Sequence, residues 1–434
     1  MIYMNQTKLN TKVEIGPNKE ADPDLSKLTS EDCKRLLENV VMDSTLDYPK
    51  TKEQAQNWDF KYWKNQPVQP ITEKCSLVNI IDPDIKSKYS CQAKMFNPYN
   101  WTTFDLANDK TMDDICTFLN KHYLTDNKDH FRLYYTKEYI RWSLGSNSKI
   151  IGITTKDNII GGLIASSTGK YQIFDKELKV NKINYLCIHP KLRKKKLAEM
   201  FIDEITRLSC NENIIVGSFT TQRYVPTPIC RVGFYHRPLN YEKLYQTNFI
   251  RLENNEPLEQ ARQRFDIKYQ HKHKVVKMDE RHFSDVYSLL CTYQDKYNYY
   301  QKYSFEEFKH CFANNNIVSS YVILDDQNDI LDFYSYYKLP YYVTAHDTNK
   351  NIPKFINAVY MNMYTSINVT QLTIFKSAVK SAYEEKNDVF NCTDIMENMD
   401  ILFDNFSKFT KGTGYLYYNF YNLSCPELSP QQTI

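Results

Sequence analysis

The chain of 434 residues has little glycine and no strong excess of charge of either sign. Its 10 glycines and 16 prolines are too few for a collagen-like or low-complexity protein. Lysine and arginine total 55 against 52 acidic residues, and the net charge of +3 provides no global basic field for nucleic-acid binding. Any site for an anion must therefore be local.

Long apolar runs and paired cysteines are also missing. The longest apolar stretch, around 159–165, falls far short of the ~20 residues that a membrane-spanning helix needs. The first residues lead into polar sequence, from which we expect no signal peptide. The 11 cysteines are odd in number, scattered and without a CxxC pair. These absences predict a cytoplasmic protein with free thiols and no metal site.

What the chain does contain is enough apolar sequence for a large core. Hydrophobic residues make up 42% of it, and its length indicates two or three domains. Residues 1–28 are polar, with no apolar period, and a helix is predicted to start near Thr29, with Asp32 at capping-box spacing. We therefore interpret residues 1–50 as a flexible arm with one helix.

Helical and strand patterns then alternate in a similar order in two stretches. The first stretch predicts helices over 113–123, 137–144 and from 197, and strands over 149–154, 159–166, 182–188 and 214–220. The second predicts helices over 283–293, 304–312, 355–363 and 377–386, and strands over 318–324, 330–337, 372–374, 389–391 and 414–421. This order predicts a duplicated α/β unit, with halves at 51–255 and 256–434.

The strongest chemical signal is a strand that runs into a basic loop and then a helix. Residues 182–198 read K-I-N-Y-L-C-I-H-P-K-L-R-K-K-K-L-A. Backbone N–H groups and the dipole at a helix start attract anions, and lysine and arginine strengthen such a site for phosphate. Cations at a helix N-terminus oppose the dipole, and a bound pyrophosphate would offset that cost. A solvated charge run is the alternative reading, which the strand–loop–helix context disfavours.

At this segment the chain resembles the glycylpeptide N-tetradecanoyltransferase (N-myristoyltransferase) family. The family sequence E-I-N-F-L-C-V-H-K-K-L-R-S-K-R is similar to residues 182–196. Further similar blocks follow in the same order and cover most of the chain. They lie at 60–68, 101–106, 226–240, 332–340, 389–398 and 408–414.

The resemblance implies an α/β (α+β) fold of two acetyltransferase-like (GNAT-like) halves, related by a pseudo-twofold axis, with a mixed twisted sheet flanked by helices. The first half would bind myristoyl-CoA as co-substrate, and the second would supply most of the groove for glycine-initiated peptides. It implies no prosthetic group and no metal. It also implies no nucleic-acid partner and no integral membrane segment, and leaves transient membrane or ribosome association open.

The family's functional residues map onto named positions. By resemblance, the N–H groups of Tyr185 and Leu186 form an oxyanion hole, and the terminal carboxylate of Ile434 is the base that deprotonates the glycine ammonium. Positions for the acyl-CoA are Lys61, Tyr62, Trp63, Tyr185, Leu186, Cys187, Ile188, Arg193, Lys194, Lys195, Lys196, Leu197 and Ala198. Positions for the peptide are Phe131, Asn184, Thr220, Tyr235, His236, Phe249, Tyr360 and Leu416. Cys187 is not expected to act as a nucleophile, because no paired base is visible.

Several positions depart from the family pattern. The tail after Cys425 is shorter than usual, so either it takes a straighter path, or Ile434 does not reach the site, or another group such as Glu427 serves. Acidic family positions are Asn127 and Thr413 here, which predicts weaker selection for lysine in the acceptor, with Asp126 and Asp129 as replacements. Tyr341 and Gln222 replace small family residues and are expected to narrow or reshape the groove.

Two other functions remain open from the sequence. One is a catalytically weakened homologue that binds acyl-CoA or acylated N-termini without transfer. The other is an acyltransferase for a shorter acyl chain, because each buried CH₂ adds ~0.8 kcal/mol only if the pocket is deep.

Overall fold

A computed structural model describes residue 49 and residues 51–124, 129–225, 227–252, 256–402 and 408–434. The helix predicted near Thr29, like nearly all of the 1–50 arm, lies outside the described residues, as do Asp126 and Asn127.

Strands account for most of the described architecture. They are β1 (Asn79–Ile80), β2 (Asn100–Phe104), β3 (Phe131–Leu133), β4 (Ser148–Thr154), β5 (Ile160–Ile173), β6 (Lys176–Ile188), β7 (Val216–Thr221), β8 (Cys230–Pro238), β9 (Lys274–Lys277), β10 (Tyr299–Lys302), β11 (Val318–Leu324), β12 (Ile330–Lys338), β13 (Tyr341–Val343), β14 (Phe355–Ile356), β15 (Ala358–Tyr364), β16 (Val389–Thr393), β17 (Thr410–Tyr421) and β18 (Leu423–Ser424).

Helices flank the strands. They are α1 (Lys52–Gln56), α2 (Ile85–Lys88), α3 (Asp109–His122), α4 (Lys137–Leu144), α5 (Leu197–Asn211), α6 (Tyr241–Gln246), α7 (Leu258–Arg264), α8 (Phe283–Gln294), α9 (Phe305–Phe312), α10 (Ala345–Thr348), α11 (Gln371–Glu384) and α12 (Asn398–Leu402).

One 13-stranded sheet forms the centre of the molecule. Its order is β2-β4-β5-β6-β7-β17-β8-β16-β15-β12-β11-β9, and β10 pairs with β5. The pairing types read the same from both edges: β6–β7 and β15–β16 are parallel, and all other neighbours are antiparallel. This symmetric order confirms the predicted mixed α/β fold of two related halves.

The halves exchange their last strands. β8 follows β7 along the chain but pairs with β16, and β17 follows β16 but pairs with β7. β17 and β8 meet at the centre of the sheet, where Leu416 lies opposite Val232. Each half is therefore completed by the other, and the boundary at residues 255 and 256 stays a prediction.

Local sequence explains most of the elements. Helix α5 buries Leu197, Phe201 and Ile205, which lie four residues apart and form one apolar stripe. Helix α9 begins at a capping box in which the side chains of Ser304 and Glu307 satisfy each other's backbone N–H groups. A tight turn at 325–329 joins β11 and β12.

Two predictions in the second half are wrong. The helix predicted over 355–363 is strands β14 and β15, and the strand predicted over 372–374 is the first turn of helix α11. The apolar residues of 355–364 lie between β12 and β16, where sheet pairing decides the conformation. Thr370 caps helix α11 by accepting from the Thr373 N–H group, which fixes its start before the supposed strand.

A second, three-stranded sheet joins the two halves of the molecule. It has the order β14-β13-β3, in which β3 belongs to the first half and β13 to the second.

No described helix is long and apolar enough to cross a membrane, and no described cluster of side chains suits a metal ion. Ten cysteines of the described chain are free thiols. The cytoplasmic location stays a prediction.

Candidate active site

A cavity of about 460 Å³ lies where the two halves meet. Its walls are mostly aromatic and aliphatic, with a few amide and hydroxyl groups. The lining residues with a role below are Phe131, Tyr171, Lys182, Ser218, Thr220, Gln222, Gln294, Tyr299, Gln301, Tyr341, Tyr360, Leu416, Asn419 and Ile434. Such a concave, mostly apolar space with a few polar groups is typical of a ligand site.

A β-bulge in β6 interrupts its pairing with β5. Leu163 pairs with Cys187 and Ala165 with Asn184, so that Tyr185 and Leu186 together lie opposite Ile164. Tyr185 has φ 54°, a left-handed conformation that is costly for a side chain of this size. The bulge takes the peptide groups of the two predicted oxyanion-hole residues out of the regular ladder.

Packing holds the bulge in place. The Tyr185 hydroxyl hydrogen-bonds to that of Ser143 at 2.6 Å, and its ring packs on Tyr123 and Tyr135. Cys187, two residues on, is buried, and burial raises the pKa of its thiol to about 12. A thiol with such a pKa is not a ready nucleophile, which agrees with the sequence-based exclusion of Cys187 from that role.

The basic loop joins β6 to helix α5. Lys194 and Lys196 both have positive φ, 63° and 60°, and Lys196 is the N-cap residue but supplies no side-chain acceptor to the helix. Within the described chain, the N–H groups of Leu197 and Ala198 donate to no protein acceptor. The predicted combination of lysines and unsatisfied N–H groups is therefore present in one loop.

Arg193 of this loop makes hydrogen bonds within the protein. Its guanidinium donates to the carbonyls of Ile188 at 3.1 Å and His122 at 3.1 Å, which ties the loop to the end of helix α3. Lys195 and Lys196 make no ion pair within the described residues. These two side chains are therefore the better placed of the loop cations for an external anion.

Lys61, Tyr62 and Trp63 lie on the helix α5 side of the sheet. The Tyr62 hydroxyl donates to Asp203 of helix α5 at 2.9 Å, and the Trp63 ring stacks on Phe219 at 5.4 Å between centroids. Lys61 is exposed. Tyr62 and Trp63 thus have packing roles, and none of the three lines the cavity.

The predicted peptide positions divide into two groups. Phe131, Thr220, Tyr360 and Leu416 line the cavity, whereas Asn184, Tyr235, His236 and Phe249 do not. Phe249 connects the two groups, because the centroid of its ring lies 5.6 Å from that of Phe131 and 6.1 Å from that of His236.

His236 is held by a neighbouring amide. Its Nδ1 lies 2.7 Å from Oδ1 of Asn391, while its Nε2 is buried without a partner in the described chain. Burial lowers the pKa of His236 to about 4, and the contact with Asn391 opposes that shift. The imidazole is therefore neutral near pH 7.

The short C-terminal tail reaches the cavity. The Ile434 N–H group donates to the Tyr299 carbonyl at 3.0 Å, the Asn298 N–H group donates to the Gln432 carbonyl at 3.0 Å, and Ile434 lines the cavity. Glu427, the alternative considered above, is exposed and does not line it. Of the departures from the family pattern, Tyr341 and Gln222 line the cavity, and Asp129 is engaged by the Arg132 guanidinium.

Sequence reasoning missed part of the wall. Tyr299 and Gln301 come from β10, a second-half strand that pairs with β5 of the first half. The abundance of tyrosine is a weak signal for an aromatic wall, but nothing local indicates this pairing. Lys182 replaces a glutamate of the family block, and this change of charge is the one signal in the sequence for its place in the wall.

Comparisons with known proteins identify the family of this chain. The family models for "Myristoyl-CoA:protein N-myristoyltransferase", N-terminal and C-terminal domains, match residues 81–232 and 246–433. A glycylpeptide N-tetradecanoyltransferase of Drosophila melanogaster is 29% identical over 92% of this chain and 84% of its own length. One of Schizosaccharomyces pombe is 28% identical over 98% of this chain and 95% of its own length.

A solved structure agrees as well. The crystal structure of Saccharomyces cerevisiae N-myristoyltransferase with bound myristoyl-CoA superposes with a TM-score of 0.78 and 26% sequence identity. The alignment covers 86% of this chain and 94% of the yeast chain. With matches to both family domains and a shared fold over most of its length, the chain belongs to the myristoyl-CoA:protein N-myristoyltransferase family.

Proposed function

We propose that this chain transfers a tetradecanoyl group from myristoyl-CoA to the α-amine of an N-terminal glycine. The observation that carries the proposal is the bulge at Tyr185 and Leu186, which lies on the strand between the basic loop and the cavity. The names of the fly and fission-yeast relatives and the myristoyl-CoA bound to the yeast enzyme support the same reaction.

The chemistry follows from what a thioester needs. The glycine nitrogen attacks the thioester carbonyl, the new N–C bond forms, the C–S bond breaks, and the CoA thiolate leaves. Negative charge builds on the carbonyl oxygen during attack, and the N–H groups of Tyr185 and Leu186 would stabilise it. Preorganised donors of this kind are each worth ~10²–10³-fold in rate.

Binding of the CoA would use the loop and its surroundings. Lys194, Lys195 and Lys196, with the N–H groups of Leu197 and Ala198, would hold the pyrophosphate. Arg193 would keep the loop in place through its two carbonyl contacts. The remaining positions assigned to the acyl-CoA by resemblance are Lys61, Tyr62, Trp63, Cys187 and Ile188.

The acceptor would be bound on the cavity side. Asn184 and Thr220 would lie near its amine, and the wall residues Phe131, Tyr360 and Leu416 would contact the peptide chain, with Tyr235, His236 and Phe249 behind them. An α-amine with a pKa of ~8 is mostly protonated at pH 7 and must lose a proton before attack. The carboxylate of Ile434, which lines the cavity, is the proposed proton acceptor.

Mass spectrometry of a glycine-initiated peptide after incubation with a ladder of acyl-CoAs tests the transfer. We expect acylation that peaks at fourteen carbons and is absent from a matched alanine-initiated peptide. A peak at a shorter chain would favour the shorter-chain acyltransferase. Tight binding of myristoyl-CoA without any product would favour the binding protein. Deletion of Ile434 should lower turnover ~10²-fold or more if its carboxylate is the base; unchanged turnover would exclude it.

A further inference from the structure

Lys182 brings the only charged side chain to the cavity wall within the described chain. The other described side chains that line the cavity are aromatic, aliphatic, amide, hydroxyl or thiol groups, and none is aspartate or glutamate. Ile434, whose carboxylate is the proposed proton acceptor, also lines the cavity. A lone cation therefore faces the space in which the acceptor peptide is proposed to bind.

The position of Lys182 on β6 relates it to the proposed acceptor site. It lies two residues before Asn184, and side chains two residues apart on a strand face the same side about 6.6 Å apart. Across the sheet it pairs with Ser218 of β7, which is two residues before Thr220. Lys182 thus lies two residues along the strand from Asn184, and its cross-strand partner Ser218 lies two residues from Thr220. Asn184 and Thr220 are the residues assigned to the acceptor amine.

The ammonium group has no partner. Among the described residues, Ile434 included, no carboxylate forms an ion pair with Lys182 and no acceptor forms a hydrogen bond with it. Its side chain is exposed to the cavity, and desolvation by the surrounding protein lowers the pKa of its ammonium group. A partly desolvated cation without a counter-ion favours a bound anion at this point.

The neighbours of Lys182 suit a carboxylate. Gln301 lies on the same sheet, with its amide nitrogen against Gly169, while its amide oxygen accepts from the Tyr171 hydroxyl at 3.2 Å. Gly169 pairs with Val180 on β6, two residues from Lys182. Because its oxygen is already bonded, the Gln301 amide offers its N–H₂ group to a ligand, as the lysine does.

We propose that Lys182 selects acceptor peptides that carry a carboxylate side chain within a few residues of the N-terminal glycine. The inference rests on the proposed transfer to a glycine amine and adds to it a charge preference. The loss of acidic family positions predicts weaker selection for lysine, whereas the cation in the wall predicts active selection for aspartate or glutamate.

A walk of aspartate through positions 2 to 6 of a glycine-initiated peptide tests the proposal, with asparagine at the same position as reference. We expect KM to be about tenfold lower for aspartate at one or two positions near the glycine, as for one charge-assisted contact. Lys182→Met should abolish the difference without changing KM for the asparagine peptides much. Lys182→Glu should reverse it and favour lysine. Lys179→Met, an exposed change on the same strand, is the matched control.

Binding separates this inference from the transfer proposal. Calorimetry of the same peptides with the full chain and a non-hydrolysable myristoyl-CoA analogue measures the charge preference without turnover. A preference that disappears in Lys182→Met supports the inference even if no peptide is acylated, a result that would overturn only the transfer. Equal affinities for aspartate and asparagine peptides at every position, or a preference that survives Lys182→Met, would overturn the role of Lys182. Unchanged affinity of Lys182→Met for myristoyl-CoA verifies that the variant is folded.

Discussion

The two halves of the sheet have the same strand order but treat one equivalent position in opposite ways. In the first half, Gly162 of β5 pairs with Ile153 of β4 next to a register shift. In the second half, Asp332 of β12 pairs with Ile323 of β11 next to a corresponding shift. Glycine and aspartate therefore occupy matching points, each beside the loop that leads from a strand to a long helix.

Asp332 supplies an anion to the loop of the second half. Its carboxylate is fully buried and accepts from the N–H groups of Ile367 at 2.9 Å, Asn368 at 2.8 Å and Val369 at 2.8 Å, just before helix α11. In the matching loop of the first half, no side-chain acceptor caps the start of helix α5, and the loop is rich in lysine instead.

The comparison shows what the strand–loop–helix geometry requires. Successive N–H groups ahead of a helix attract negative charge in both halves. The second half satisfies them with its own side chain and becomes a structural element. The first half, with glycine at that point, provides no such carboxylate. One fold unit thus serves stability in one copy and is proposed to serve binding in the other.

Removal of the internal carboxylate should have the largest effect. Asp332→Ala leaves three buried N–H groups without an acceptor, and we expect the free energy of unfolding to fall by about 3–5 kcal/mol. Urea unfolding followed by tryptophan fluorescence measures it. Asp326→Ala, in the exposed turn of the same hairpin, is the control and should stay within about 0.5 kcal/mol. A similar small change for Asp332→Ala would mean that the carboxylate does not hold the loop.

Transfer of that carboxylate to the first half should block the basic loop. Gly162→Asp is expected to lower affinity for myristoyl-CoA about 100-fold or more, because the new carboxylate competes with phosphate for the same N–H groups. Gly162→Ala is the matched control. A Cβ at Gly162 meets the Phe201 ring at 3.0 Å and the Cys187 carbonyl at 3.2 Å, so both variants share a packing cost. Equal affinities of the two variants would contradict the proposed equivalence of the loops.

The lysines of the first loop should contribute less individually. Lys195→Ala and Lys196→Ala are each expected to weaken myristoyl-CoA binding about tenfold, the value of one charge-assisted contact. Wild-type affinity should also fall with added salt more steeply than that of the double variant. Lys350→Ala, an exposed lysine of the second half, is the reference and should change nothing. Calorimetric titrations that show no loss for either lysine would remove both from the proposed phosphate site.

The smallest expected effect is a difference in acid sensitivity. His122 and His189 contact each other at 4.5 Å between ring centroids beside the basic loop, and burial lowers their pKa values to about 4 and about 3. Imidazoles of the unfolded chain titrate near 6.5, so between about pH 6.5 and pH 4 the unfolded chain binds protons that the native chain does not. The contribution of these two histidines to the free energy of unfolding is therefore complete above about pH 6.5 and declines as pH falls.

The second half has Gln294 at the end of the equivalent helix, α8, and no titrating pair there is expected. Each histidine should contribute at most about 1.4 kcal/mol of lost stability per pH unit. Between pH 7 and pH 5, the free energy of unfolding of the double variant His122→Gln/His189→Asn should decline less than that of the wild type. An identical slope would mean that other groups cause the acid sensitivity.

Much of the first half followed from local sequence. Helix α4 was predicted at its observed bounds, and the strand over 182–188, the basic loop and helix α5 were predicted in the right order. Periodicity works there because the helices are amphipathic and the loop carries an unusual run of charge. It fails at 355–374, where β15 is buried between β12 and β16 and its apolar residues suit either a strand or a helix.

By itself, the sequence determined the mixed α/β composition, the repeated order of elements, the family and the cationic loop, because each depends on short-range periodicity or on a contiguous motif. Only the tertiary structure decided the exchange of β8 and β17, the pairing of β10 with β5, and the meeting of Lys182, Tyr299 and Ile434 at one cavity. These features join segments more than a hundred residues apart in the chain, and pairing between distant strand edges leaves no local pattern.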